Sequence, residues 1–193
     1  MYHFTQNWFN NSEIKKKLSK FLNPNNINKI LEIGSFEGQS SIFFADNYLN
    51  NKDSSLTCVD PFYESGTKDG ITTLFVTNKT KDKFINNINQ SINKDKINFI
   101  NTTSDYFFKQ NKETYTFIYL DGCHNPDYLE RDLENSINII EKNGIIWIDD
   151  YLYHERDEHR CRPMEVIHKF LVKYKNRVKI IHKGYQLAFR VIE

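Results

Sequence analysis

Five short apolar runs in this 193-residue chain each end in small or acidic residues, and amphipathic stretches separate them. Ile30-Leu31-Glu32-Ile33 stops at Gly34, and Leu56-Thr57-Cys58-Val59 stops at Asp60. Ile97-Asn98-Phe99-Ile100 leads to Thr103-Ser104, Phe117-Ile118-Tyr119-Leu120 stops at Asp121, and Ile145-Ile146-Trp147-Ile148 stops at Asp149-Asp150. Runs this short and this apolar are the pattern of strands buried on both faces. Helical spacing predicts helices over Ser12–Leu22, Gly38–Asn50, about 79–92, Pro126–Asn143 and Pro163–Tyr174, with Gly144 as the terminator of the fourth. The stretch through Gly66 and Gly70 reads as a polar loop. Strands separated by helices make βαβ units and a parallel sheet. The last two strand-like segments, Val178–His182 and Tyr185–Val191, share only Lys183-Gly184, too short for a crossover, so they run antiparallel. The expectation is an α/β fold with a seven-stranded, mostly parallel sheet and one reversed strand at or near its edge.

Ligands of such sheets bind beyond the carboxyl ends of the strands, where this chain places its polar groups. Charge narrows what those ligands are. Twenty-six basic residues meet 25 acidic ones, a net charge of +1, which argues against a nucleic-acid partner. The longest apolar runs are far shorter than the roughly 20 residues of a membrane span, and the N-terminus lacks a signal-peptide pattern. Cys58, Cys123 and Cys161 show no CxxC spacing and read as reduced thiols of a cytoplasmic protein.

Glu32-Ile33-Gly34-Ser35-Phe36-Glu37-Gly38-Gln39-Ser40 is a strand, a glycine turn and a helix start. Its G-x-x-x-G spacing lacks the G-x-G-x-x-G of a pyrophosphate cradle, which disfavours a nicotinamide enzyme. Glu32 would repel a phosphate but suits a positively charged group, and Asp60 is placed to accept from ribose hydroxyls. An ordinary strand-to-helix turn is the alternative, and Glu32 and Asp60 together favour a nucleoside. Asp121-Gly122-Cys123-His124 and Asp149-Asp150 close two further strands. Three carboxylates there repel one another unless protonated or bridged by a hard cation such as Mg²⁺; the alternative has Asp149 and Asp150 as loop caps. His124 suits a general base, or it anchors its own loop; Cys123 reads as a small buried thiol. The charged loop His154–Arg162 is either solvated surface or a substrate contact. The aromatic Phe4–Phe9 segment is a lid or a dimer contact.

Leu31-Glu32-Ile33-Gly34 through Gly38, with Val59-Asp60-Pro61, resembles the first two motifs of class I S-adenosylmethionine-dependent methyltransferases, a Rossmann-like fold. Asp121-Gly122-Cys123-His124 followed by Tyr128 and Asp132 resembles the methyltransferase-24 group, and the three aspartates resemble the metal site of catechol and macrocin-type sugar O-methyltransferases. The resemblance spans about residues 28–192 and implies a methyltransferase domain over 28–193, with 1–27 as a helical lid or dimer segment. It implies that Glu32, Gly34, Ser35, Phe36, Gly38, Gln39 and Ser40 line S-adenosylmethionine. Asp60 would bind the ribose, Thr103 and Ser104 the adenine, and Asp121 would lie beside the cofactor. Asp121, Asp149 and Asp150 would hold Mg²⁺, with Asp121 and His124 catalytic, His124 standing where the catechol enzymes carry a lysine. The implied reaction is O-methylation of a small hydroxylated acceptor, a sugar or glycan hydroxyl ahead of a catechol or phenol. A non-catalytic nucleoside-binding module is the rival, and a homodimer is compatible with either.

Overall fold

In the computed structural model, residues 2–68, 71–76, 78–153 and 162–193 are described. Along them run α1 (Glu13–Lys17), β1 (Lys29–Ile33), α2 (Gln39–Tyr48), β2 (Ser55–Val59), β3 (Tyr63–Lys68), β4 (Ile71–Val76) and α3 (Asn78–Ile88). Then follow β5 (Ile97–Ile100), α4 (Ser104–Gln110), β6 (Tyr115–Leu120), α5 (Pro126–Ile139), β7 (Ile140–Ile148), α6 (Pro163–Lys173), β8 (Val178–Lys183) and β9 (Leu187–Val191).

Seven strands form one sheet in the order β5-β2-β1-β6-β7-β9-β8. β5, β2, β1, β6 and β7 are parallel, and β9 runs antiparallel to both β7 and β8. The reversed strand therefore lies one place in from the edge. From β1 the chain first winds outward to β2 and β5, then returns to β6 on the other side. That reversal opens a crevice beyond the carboxyl ends of β1 and β6.

Alternation along each strand splits the core into two layers. Leu31, Ile33, Ile118 and Leu120 pack with Leu129 and Leu133 of α5 and Ile167 and Phe170 of α6. Ile30, Phe117, Tyr119 and Trp147 face the other way, onto Phe44 of α2, Phe84 of α3, and Ile14 and Leu18 near the N-terminus. The N-terminal segment is thus part of the second layer. Among the described residues, no helix is long and apolar enough to cross a membrane.

Four local expectations are corrected. The stretch read as a polar loop forms an antiparallel hairpin, with Lys68 paired to Ile71, so only two residues separate the strands. Asp69-Gly70 at that point is a strong two-residue hairpin signal. The helix expected over Ser12–Leu22 is a five-residue α1 followed by a 3-10 turn at Leu18–Lys20. The helix expected to reach Asn143 ends at Ile139, because Ile140 already pairs with Tyr115. Gly144 is therefore no helix cap; a Cβ there would lie 2.7 Å from Cγ1 of Ile140. Finally, Ser104–Gln110 is helical where no helix was expected. The charged segment 154–161, with Cys161, lies outside the described residues.

Candidate active site

Backbone bonds continue one residue past the strand ends and tie them together. Gly34 N donates to Val59 O (2.9 Å), Asp121 N to Ile33 O (2.9 Å) and Asp149 N to Leu120 O (2.9 Å). Gly34 has φ 86°, and a Cβ there would lie 2.1 Å from the Asp121 carbonyl oxygen, so the crossing of β1 and β6 admits only glycine. The turn then passes through left-handed conformations at Phe36 (φ 47°) and Gly38 (φ 84°).

Asp60 holds this turn. Its Oδ2 accepts from the amides of Ser35 (2.8 Å) and Phe36 (2.9 Å), and its Oδ1 accepts from Phe62 N. A carboxylate offers about four acceptor positions, so one is left for a ligand hydroxyl. Glu32 lies behind the turn at 0% exposure, accepting from the hydroxyls of Ser35 (2.8 Å) and Ser41. Burial pushes its carboxyl up, against the opposing serine hydrogen bonds. Ser35, Gly38 and Ser40 are also buried, whereas Phe36 is 40% exposed and Gly34, Gln39 and Asp60 are partly exposed. Across the crevice Thr103 caps α4, accepting from Tyr106 N (3.4 Å), and Ser104 opens that helix.

At the ends of β6 and β7 the acids separate into roles. Asp149 faces inward: Oδ1 accepts from Gln186 Nε2 (2.6 Å) and Asp150 N (2.8 Å), and Oδ2 accepts from the Tyr119 hydroxyl (2.6 Å). Asp150, left-handed at φ 51°, places Oδ2 2.6 Å from His124 Nε2 and accepts the Tyr185 hydroxyl on Oδ1 (2.8 Å). Asp121 accepts the Tyr119 hydroxyl at 3.2 Å. Burial, then the charges of Asp149 and Asp150, push the Asp121 carboxyl well up. Burial also raises Asp149, with Asp150 adding to it. For Asp150 burial is outweighed by the His124 hydrogen bond and charge, which hold it below the usual carboxylate range. The tyrosine between Asp121 and Asp149 is a neutral phenol, its pKa driven up by burial and both carboxylates.

The groups that converge on one point are Asp121, His124 and Asp150, whose ligand atoms all lie within 4.8 Å of one another. The trio implied by the resemblance was Asp121, Asp149 and Asp150; here Asp149 bonds Tyr119, Gln186 and the Asp150 amide, and among the described residues His124 joins Asp121 and Asp150. Cys123, expected to be buried, is exposed. Tyr119, Tyr185 and Gln186 were missed. Tyr119 stands two residues before Asp121 on one strand and so shares its face, a signal present in the sequence. Gln186 and Tyr185 carry no such signal, because only the β8–β9 turn brings them to Asp149 and Asp150.

Residues 31–151 match the methyltransferase-24 family, described as a methyltransferase domain. No curated protein matches the sequence. Among solved structures, the chain is similar to a candidate rRNA-methylase from Clostridium thermocellum, 10% identical over 99% of each chain with a TM-score of 0.70. It is similar to an O-methyltransferase from Bacillus cereus in complex with SAH, 15% identical over 86% of this chain and 74% of that one, TM-score 0.60. It is also similar to the O-methyltransferase TomG from Streptomyces achromogenes, in complex with SAM, 13% identical over 86% and 73% of the two chains, TM-score 0.59. Identities this low speak for the fold. The family match covers well over half of the chain and takes in the glycine turn, Asp60, Asp121 and the Asp149-Asp150 pair; the chain therefore belongs to the methyltransferase-24 family of S-adenosylmethionine-dependent methyltransferases.

Proposed function

We propose that this methyltransferase acts on a hydroxyl of a small acceptor, a sugar or glycan hydroxyl ahead of a catechol or phenol. The supporting observation is the His124–Asp150 pair, 2.6 Å apart, set at the strand ends next to the glycine turn. Bound S-adenosylmethionine supplies an electrophilic methyl on a sulfonium. The residues of the chain then have three tasks. The turn from Gly34 to Ser40 and the remaining acceptor position of Asp60 hold the donor, with Thr103 and Ser104 at its adenine end and Glu32 buttressing the turn from behind. His124, oriented by Asp150, takes the acceptor's hydroxyl proton. Holding donor and acceptor in line supplies much of the acceleration. Residues 28–193 are the catalytic domain in this reading, residues 1–27 are its lid or dimer segment, and the chain works in the cytoplasm.

A second reading rests on the convergence of Asp121, His124 and Asp150. Two carboxylates and an imidazole suit a divalent cation, and the raised Asp121 carboxyl reports crowding that a cation relieves. The nitrogen donor fits Mn²⁺ as well as the Mg²⁺ expected from three carboxylates. Such a cation would lower the pKa of the acceptor hydroxyl. His124 cannot hold a cation and take a proton on the same nitrogen, so the two readings separate experimentally.

The test is transfer of a labelled methyl group from S-adenosylmethionine to panels of glycosides, catechols and rRNA fragments, with EDTA or with added Mg²⁺ or Mn²⁺. Transfer to a glycoside that survives EDTA and falls by about two orders of magnitude in His124→Ala supports the base. Loss with EDTA and recovery with the cation support the second reading. Transfer to rRNA alone sinks the small-acceptor assignment.

A further inference from the structure

Residues 3 and 5 bind the rest of the protein through side chains that imitate a strand partner. Asn87 of α3 accepts from His3 N through Oδ1 (2.8 Å) and donates from Nδ2 to His3 O (2.9 Å). Two residues on, Glu37 accepts Thr5 N on Oε2 (2.6 Å) and the Thr5 hydroxyl on Oε1 (2.7 Å). The spacing is that of an extended chain presenting alternate residues to one side.

Glu37 belongs to the glycine turn, between left-handed Phe36 and Gly38. It is only 2% exposed, Lys83 of α3 reaches it at 2.8 Å, and its carbonyl accepts Asn87 Nδ2 at 2.9 Å. Burial alone would raise its carboxyl, but the Lys83 and Thr5 hydrogen bonds outweigh it and hold it low, so the clasp is charge-assisted. Further along this N-terminal strap, residues 2–10, Trp8 stacks on Phe36 with ring centres 5.6 Å apart, although Trp8 is 70% exposed. Between strap and α2 opens a cleft of about 460 Å³, walled by Thr5, Gln6, Asn7 and Asn10 on one side and Gln39 on the other. Asp60 grips the amides of Ser35 and Phe36 from the sheet side. The strap grips the next residue from the opposite side.

Phe36, a non-glycine residue at φ 47° beside the buried Glu37, holds a costly conformation that the surrounding contacts must maintain. A grip from both sides maintains it before a ligand arrives, which lowers the ordering cost of binding. We propose that Thr5 and Glu37 are positioning residues for the methyl donor: their clasp fixes the 34–40 turn in its binding shape and so sets donor affinity. This rests on the reading of that turn as the donor site.

The experiment measures binding of S-adenosylhomocysteine to the full chain by calorimetry, for the wild type and for Thr5→Val, Thr5→Ser and Glu37→Gln. Trp8 provides an optical check, since the chain's other tryptophan, Trp147, is fully buried in the core. Binding should change Trp8 emission, and Trp8→Phe should abolish that change. Loss of one hydrogen bond to a buried charge predicts affinity weakened by about tenfold in Thr5→Val and Glu37→Gln, with Thr5→Ser near wild type. In turnover assays the donor KM should rise by the same factor, while acceptor KM and kcat at saturating donor stay within about twofold. Thr5 is exposed, so Thr5→Val tests the clasp even if Glu37→Gln unfolds. Wild-type binding that neither variant weakens overturns the clasp alone, as does a shift in acceptor KM in place of donor KM. No binding by the wild type overturns the donor reading and the clasp with it.

Discussion

Asp132 shows what one carboxyl can report when it is walled in. It is buried under the loop that carries His124, and burial raises it from an ordinary 3.8 to about 6, with the Ser104 hydrogen bond pulling the other way. Its Oδ1 has no hydrogen-bond partner among the described residues. The folded protein keeps this proton where the unfolded chain has lost it. The stabilisation is therefore complete below the unfolded pKa and is lost as pH rises through the folded one, an upper bound of about 3 kcal/mol. Asp132→Asn carries no such titration. Urea unfolding should show the variant gaining on the wild type between about pH 4 and pH 6, with a constant difference above that. A difference that stays flat across that range would show that Asp132 is not held neutral.

At the scale of elements, the N-terminal segment is more deeply committed than its short helix suggests. Ile14 N donates to Gln186 Oε1 (2.7 Å), Glu13 accepts Gln186 N (2.9 Å), and Gln186 in turn holds Asp149 and the Trp147 indole (3.0 Å). Leu18 is 0% exposed in the second core layer. Leu18→Ala should cost about 2–5 kcal/mol in urea unfolding, the cost of a core leucine. A cost below about 1 kcal/mol would mean that the segment detaches without disturbing the sheet. The apolar positions Ile14, Leu18, Phe21 and Leu22 were readable as one buried face. That the helix stops after five residues was not, nor that its first turn, at Glu13 and Ile14, is held by Gln186 of the β8–β9 turn, which is remote in the chain. The hairpin at Tyr63–Val76 is the opposite case, since a local signal for it, Asp69-Gly70, stood in the sequence although the stretch reads as a polar loop.

The whole molecule is nearly neutral, 26 basic against 25 acidic residues, with Glu32, Asp60, Asp121, Asp149 and Asp150 at or just past the carboxyl ends of parallel strands. The proposed small, neutral acceptor implies a weak dependence on salt. Donor binding and methyl transfer to a neutral acceptor should change by less than about twofold between 50 and 300 mM salt, whereas a phosphate-reading enzyme loses orders of magnitude. Kinetics across that salt range would decide it, and a steep loss would point to a nucleic-acid substrate.

The chain by itself determined the parallel sheet, its reversed strand near one edge, and the row of polar groups at strand ends. These follow from local rules: alternation sets the faces, short apolar runs set burial, and strands that share a direction put their carboxyl ends on the same side. Only the tertiary structure decided which of those polar groups meet. His124 converges with Asp121 and Asp150, and Asp149 turns inward, because a left-handed Asp150 and the distant Gln186 reorient neighbouring carboxylates. Glu37 became the anchor of the N-terminal segment because Thr5 returns to it from 32 residues upstream. Those meetings depend on pairs far apart in sequence, and no local pattern encodes a distance between them.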